Sequence, residues 1–160
     1  MNKTVILFAL IILNINSWGQ DRKSNQIADH YQTSKFDVAI FPETSLDMIP
    51  GKRFTPTRKD IEKAEAALDI QLKELNSPLV NQHKSPIIHR KLKKYRRQYF
   101  GYINQKGQKI LLINSFLNKR QHEYWLESKV SALDGGSYYW SINFDLDASK
   151  LFGLYVNGNG

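Results

Sequence analysis

The stretch from Tyr95 to Phe116, YRRQYFGYINQKGQKILLINSF, decides the fold of this chain. From Tyr95 to Ile103 the side chains alternate with a period of two, which is typical of a β-strand. Asn104–Gly107 then supplies turn residues, and a second strand pattern follows over Ile110–Phe116. The two patterns and the turn between them predict an antiparallel β-hairpin, around which the rest of the chain must be arranged.

The residues after the hairpin continue the strand pattern. Tyr124–Leu133 is predicted as a third strand, and a tight turn at Asp134–Gly136 leads into a fourth at Tyr138–Leu146. A turn at Asp147–Lys150 precedes a closing strand at Leu151–Asn157. Together with the hairpin, these segments predict an antiparallel meander sheet of four to five strands.

An amphipathic helix is predicted ahead of the hairpin. Thr55–Thr57 provides a cap residue and a proline suited to a first helical turn, and Asn76–Pro78 ends the pattern. Five apolar side chains recur between them on one helical face: Ile61, Ala64, Leu68, Leu72 and Leu75. Ile70 lies opposite this stripe and is predicted to have no role in the core. A helix packed on an antiparallel sheet is an α+β architecture.

Two segments next to these elements are less regular. Residues 86–94 either form a short helix with Ile88, Leu92 and Tyr95 on one side or begin the following strand early, and the helix is favoured. Residues 20–53 are predicted to be an extended N-terminal arm with one strand around Phe36–Phe41. Residues 54–160 then form a single α+β domain.

Residues 1–19 have the features of a secretory signal peptide. Lys3 gives a positive start, Val5–Leu13 is apolar, and small residues at Ser17 and Gly19 predict cleavage before Gln20. The apolar run is shorter than the roughly 20 residues that span a bilayer, so no transmembrane anchor is expected in the mature chain. The predicted location is the periplasm or the extracellular space.

Charge and cysteine content limit the kinds of functional site that this protein can have. The 160 residues carry a formal net charge of +8 and no cysteine, which excludes disulfides, thiolate metal sites and cysteine nucleophiles. Residues 75–122 contain eleven lysines and arginines and no acidic residue, so the whole positive excess lies in the middle third. Such a density of like charge repels itself unless solvent or an anionic partner offsets it.

The densest part of this segment is the candidate anion-binding site. Its six predicted residues are Arg90, Lys91, Lys93, Lys94, Arg96 and Arg97. Possible secondary contacts are Lys106, Lys109, Lys119 and Arg120, and Tyr95, Tyr99 and Tyr102 offer stacking surfaces. The expected partners are an acidic polysaccharide, a lipopolysaccharide or an acidic protein, and specific nucleic-acid binding is not expected. The alternative is a charged face that only keeps the protein soluble.

Other chemistry has little support in the sequence. The four histidines, His30, His83, His89 and His122, lack the spacing of metal ligands, so no metal or cofactor is expected. Asn143–Ser149 alternates polar residues like the start of a calcium loop, but Ala148 and Leu154 stand where glycine and glutamate would be needed. No nucleophile motif is present, and the predicted function is non-enzymatic.

Four short motifs resemble small exported proteins of Bacteroidota with no assigned activity. They are Thr55–Thr57, RQYFGYIN at 97–104, DGGSYYW at 134–140 and VNG at 156–158, and the resemblance covers residues 54–160. The order of helix and meander is also similar to cystatin-like and NTF2-like folds. An NTF2-like fold implies a pocket between helix and sheet, so a small-ligand carrier or enzyme is a second hypothesis. A structural or inhibitory envelope module acting through the loops at 134–136 and 156–160 is a third.

Overall fold

The computed structural model describes residues 27–45, 49, 51–117 and 122–158. Within these ranges the regular structure consists of β1 Asp29–Gln32, β2 Asp37–Phe41, β3 Lys52–Phe54, α1 Arg58–Leu75, β4 Tyr95–Ile103, β5 Lys109–Leu117, β6 Tyr139–Asp145 and β7 Lys150–Val156. Short 3-10 turns occur at Ile88–Arg90, Leu92–Lys94 and Gly136–Tyr138. One long helix with a sheet confirms the predicted α+β class. The predicted signal peptide lies outside the described residues.

The strands form one mixed sheet in the order β1-β2-β4-β5-β6-β7. Strand β2 runs parallel to the first half of β4, with Asp37 opposite Arg96, and β3 pairs antiparallel with the last three residues of β4. Strands β2 and β3 therefore lie end to end along one side of β4. Gly101 permits the second pairing, because a Cβ at this position would overlap the carbonyl oxygen of Phe54.

The predicted antiparallel meander is present as β4-β5-β6-β7, but the whole sheet is larger than predicted and is not purely antiparallel. Residues assigned to an extended arm form β1, β2 and β3, and the strand expected near Phe36–Phe41 is β2, inside the sheet between β1 and β4. Parallel strands require a long crossover connection between them. The chain between β2 and β4 contains α1 and provides such a crossover, so these two strands can pair in parallel. Sequence periodicity indicates which residues form strands, but it does not indicate which strands pair with each other.

The third predicted strand, at Tyr124–Leu133, is also wrong. These residues form a turn followed by irregular chain, and β6 takes the position beside β5. Trp125 instead packs across the sheet face opposite α1, against Phe116. Gln98 of β4 holds this segment through its amide nitrogen, which donates to the carbonyl oxygens of Trp125 at 2.7 Å and Ser128 at 2.8 Å.

Helix α1 begins where the sequence predicts. The Thr57 hydroxyl accepts a hydrogen bond from the Asp60 amide at 3.2 Å, and the Asp60 carboxylate accepts one from the Thr57 amide at 2.9 Å, which is a capping box. Ile70 is 79% exposed, as predicted. Leu75 departs from the prediction with 36% exposure, because the helix ends there and the stripe that contacts the sheet stops at Leu72.

Apolar side chains cover both faces of the sheet. The main core lies between α1 and the sheet, and its buried members include Ile61, Leu68, Leu72, Ile88, Tyr95, Tyr99, Ile113 and Trp140. A smaller core on the opposite face contains Ala28, Ala39, Phe41, Phe100, Phe116 and Trp125. The Gln71 side chain of α1 also makes two hydrogen bonds at the start of edge strand β7. Its oxygen accepts from the Leu151 amide, and its nitrogen donates to the Ser149 carbonyl oxygen, both at 2.9 Å. These contacts fix the helix over the sheet.

A buried ion pair connects α1 to β4. The Arg97 side chain is 1% exposed, and its Nε donates to Glu65 Oε1 at 2.6 Å. The Tyr99 hydroxyl donates to the same oxygen at 2.7 Å. Burial and the Glu65 carboxylate raise the pKa of Tyr99 well above its ordinary value, so Tyr99 stays a hydrogen-bond donor. A second nitrogen of Arg97 donates to the carbonyl oxygens of Leu92 at 2.9 Å and Tyr95 at 3.0 Å.

Removing one member of this pair should destabilise the fold strongly. We expect Glu65→Leu to lower the free energy of unfolding by about 3–5 kcal/mol, because the Arg97 charge would stay buried without a partner. The double variant Glu65→Leu/Arg97→Met should cost much less than the sum of the two single variants. Urea unfolding of the wild type, Glu65→Leu, Arg97→Met and the double variant measures the coupling energy between the two side chains. Losses of stability that simply add would contradict the predicted coupling.

Candidate anion-binding site

The six predicted residues do not stay together in the structure. Arg90, Lys91, Lys93 and Lys94 lie in and between the two 3-10 turns that precede β4, and all four are exposed. Arg96 and Arg97 are neighbours within β4, where successive side chains point to opposite faces of the sheet. Strand geometry therefore places these two arginines on opposite faces of the sheet, with Arg96 in a groove beside Lys93 and Lys94 and Arg97 against Glu65.

Arg97 does not belong to an anion-binding surface. Its side chain points to the helix-facing side of the sheet, where Glu65 neutralises it. The sequence contains a signal for this pairing, because Glu65 falls within the apolar stripe of α1, four residues after Ile61 and three before Leu68. A carboxylate at a core position requires a buried partner.

Arg96 is also compensated by an acidic residue, on the opposite face of the sheet. Its Nε donates to Asp37 Oδ2 at 2.8 Å, and its guanidinium lies 4.8 Å from the centroid of the Trp125 ring. The other oxygen of Asp37 lies 2.7 Å from His30 Nε2. Arg96 thus fastens β4 to β2 and to the segment that covers this face.

The four exposed cations share a groove with a fifth that the sequence analysis missed. The groove has a volume of about 430 Å³ and runs between α1 and the 3-10 turns, with Leu68 and Leu92 among its lining residues. Its cations, which together define the basic groove, are Lys73, Arg90, Lys91, Lys93 and Lys94. Asp69 is the one carboxylate that lines it. No sequence signal singles out Lys73, because its place in the groove depends on how the chain folds back along α1.

The turns that carry these cations are anchored by apolar side chains and by neutral amides. Ile88 and Leu92 are buried under the turns. Asn76 and Gln82 exchange two side-chain hydrogen bonds, at 3.0 Å and 2.6 Å, and the Gln82 oxygen also accepts from the Ile88 backbone amide at 3.0 Å. The segment is thus joined to the C-terminal end of α1 without any acidic residue.

This network determines the tautomer of His89. Because the Gln82 oxygen accepts from the Ile88 amide, its orientation is fixed, and the Asn76 side-chain nitrogen must donate to it. The same Asn76 nitrogen lies 3.0 Å from His89 Nδ1, which must therefore accept a hydrogen bond. His89 is then neutral, with its proton on Nε2. Burial, and then the charges of Arg90 and Lys73, lower the pKa of His89.

The expected secondary contacts and stacking residues do not join the basic groove. Lys106 and Lys109 lie at the far end of the β4–β5 hairpin, roughly 25 Å away at the usual rise per strand residue. Lys119 and Arg120 lie outside the described residues. Tyr95 and Tyr99 are buried in the main core, so their rings offer no stacking surface to a ligand. Tyr102 lies near the far end of β4, where its hydroxyl donates to Asn143 Oδ1 at 3.2 Å.

The described residues contain no group of three or more histidines and carboxylates that could hold a metal ion. Asp145, the second residue of the calcium-like pattern, accepts hydrogen bonds from the Asp147 and Ala148 amides at 2.9 Å, and so shapes the turn before β7. Within residues 27–158, as far as they are described, no helix is long and apolar enough to cross a membrane.

Comparison with known proteins identifies no relative. No protein-family model, curated protein or solved structure matches this chain. The resemblance to exported proteins of Bacteroidota thus stays a prediction.

Acidification should weaken the fold through His89. A histidine whose pKa is lower in the folded than in the unfolded state contributes stability that is complete above about pH 6.5 and is lost as the pH falls through the folded value. We expect the unfolding free energy of the wild type to fall more steeply below about pH 6.5 than that of His89→Gln. Nitrogen NMR should show an unprotonated Nδ1 at neutral pH.

The matched control for this experiment is His83→Gln, which removes an exposed histidine from the same loop. Parallel stability curves for the wild type and His89→Gln, or a proton on Nδ1 at neutral pH, would contradict the assigned tautomer.

Proposed function

We propose that this protein is an exported, non-enzymatic domain that binds an acidic polysaccharide through the basic groove. The observation that carries the proposal is the convergence of five unpaired, exposed cations on one groove. None of the five groove cations has a side-chain hydrogen bond or ion pair with another residue in the described ranges. Arg96 and Arg97, by contrast, each have a carboxylate partner. Burial accounts for this division, and what distinguishes the groove is that five exposed cations from two separate elements line one surface.

The groove is favoured over a simple solvated face because its charges are held close together by packing. Mutual repulsion between neighbouring cations would be reduced if the segment were mobile, yet buried Ile88 and Leu92 hold it against α1. Lys73 adds a charge from a separate element. A polyanion that neutralises several of these side chains at once releases their counterions and reduces the repulsion.

An acidic polysaccharide fits this surface because its sulfates or carboxylates recur along a chain. The groove is open and lined by flexible lysines, which accept an anion from many directions. A lipopolysaccharide or an acidic protein carries the same class of charge and serves as a competitor in the test.

The described contacts do not favour the two other hypotheses. A carrier or enzyme with a helix-sheet pocket would place its ligand between α1 and β4, where Leu68, Leu72 and Tyr99 belong to one continuous buried cluster. In a module acting through the terminal loops, the Gly136 amide and the Gly158 carbonyl oxygen would face the partner, but they bond each other at 2.8 Å.

Charge reversal in the groove should abolish polysaccharide binding without unfolding the protein. The variant Arg90→Glu/Lys91→Glu/Lys93→Glu/Lys94→Glu removes four exposed cations, so its melting temperature should stay close to that of the wild type. Calorimetric titration with heparin as the probe should show tight binding for the wild type at low salt and none for the variant. Wild-type affinity should fall steeply as salt rises.

The matched control is Lys52→Glu/Lys59→Glu/Lys106→Glu/Lys150→Glu, which changes the net charge equally at exposed positions away from the groove. It should keep most of the affinity. Equal loss in both variants, or affinity that does not respond to salt, would overturn the proposal. Stronger competition by lipopolysaccharide or by polyglutamate than by heparin would reassign the partner.

A further inference from the structure

A second groove continues from the basic groove on the side of β1 and β2. It has a volume of about 230 Å³ and lies between the β1–β2 turn and the residues that lead into β4. We call it the hairpin groove, and it is lined by Gln32, Thr33, Ser34, Lys35, Phe36, Asp37, Lys93, Lys94, Tyr95 and Arg96. Lys93 and Lys94 line both grooves, so the two share one wall of positive charge.

The hairpin groove has a positive excess of its own. Its one carboxylate, Asp37, is already engaged by Arg96 at 2.8 Å and by His30 at 2.7 Å. Lys35 is exposed and makes no ion pair with another described residue. An anion entering this groove would therefore meet Lys35, Lys93 and Lys94. Lys35 and Lys93 also line an adjoining pocket with Glu62, Glu65 and Asp69. Of these carboxylates, Glu65 pairs with Arg97 and Glu62 accepts from the Tyr31 hydroxyl.

The β1–β2 turn that presents Lys35 is a defined structure. The Thr33 hydroxyl accepts hydrogen bonds from the Lys35 amide at 3.1 Å and the Phe36 amide at 3.2 Å. The Phe36 ring packs edge-on against Tyr31 with centroids 5.3 Å apart, and the Tyr31 hydroxyl donates to Glu62 of α1 at 2.8 Å. The turn thus holds Lys35 at a set position relative to α1 and the 3-10 turns.

We infer that the hairpin groove is a second subsite, and that the ligand is a linear polyanion that runs from the basic groove past Lys93 and Lys94 to Lys35. This inference rests on the proposed function and adds the length of the ligand to it. A small anion would occupy one groove and gain nothing from the other. A chain long enough to cross the shared wall neutralises both sets of cations, so its affinity depends on its length.

The test is a length series of heparin oligosaccharides, from the disaccharide upward, titrated into the wild type and Lys35→Glu at low salt. Wild-type affinity should rise with length and then level off once both grooves are spanned. Lys35→Glu should bind the shortest oligosaccharides as the wild type does and the longest on the order of tenfold more weakly, because reversal replaces an exposed attraction with a repulsion. Lys106→Glu is the matched control and should leave the whole series unchanged.

The outcomes separate this inference from the proposed function. Affinity that is independent of length, or a Lys35→Glu loss equal at every length, would overturn the second subsite while leaving the basic groove as a site. Failure of every oligosaccharide to bind the wild type would overturn both. Thermal melting of Lys35→Glu checks the fold, and Lys35→Ala, which removes the charge without reversing it, should show the same length-dependent loss to a smaller extent.

Discussion

The ion pair between Arg97 and Glu65 is the contact on which the arrangement of this protein depends. It joins α1 to β4, the strand that pairs with β2, β3 and β5. The same guanidinium binds the carbonyl oxygens of Leu92 and Tyr95, where the second 3-10 turn meets β4. One buried side chain therefore links the helix, the central strand and the end of the basic segment that leads into that strand.

This arrangement gives different roles to the basic side chains of the acid-free segment, residues 75–122. Arg97 stabilises the interior, and Arg96 joins two strands and stacks on Trp125. The cations of the two turns stay uncompensated at the surface. The two paired arginines lie within β4, where successive side chains point to opposite faces of the sheet. The unpaired cations of the turns come before the strand begins at Tyr95. The start of the strand thus separates the arginines that stabilise the fold from the cations that stay at the surface.

Neutral groups hold the basic groove in place. Asn76 and Gln82 bond each other and the backbone of the 3-10 turn, and His89 accepts from Asn76 as a neutral ring. A carboxylate in this position would fasten the segment equally well but would cancel the field of the neighbouring cations. Amide anchoring thus keeps the groove both ordered and positive, which is the combination that a polyanion site requires.

The sequence by itself determined the local elements: the capped helix with its apolar stripe, the β4–β5 hairpin, β6 and β7, because periodicity and turn chemistry act between near neighbours in the chain. It also located the acid-free segment. Only the tertiary structure decided that β2 runs parallel beside β4, that Tyr124–Leu133 covers the sheet, and that Arg97 is buried while Lys73 joins the groove. Strand pairing and charge pairing join residues distant along the chain, such as Glu65 and Arg97, and no local pattern specifies which of several possible partners a residue will meet.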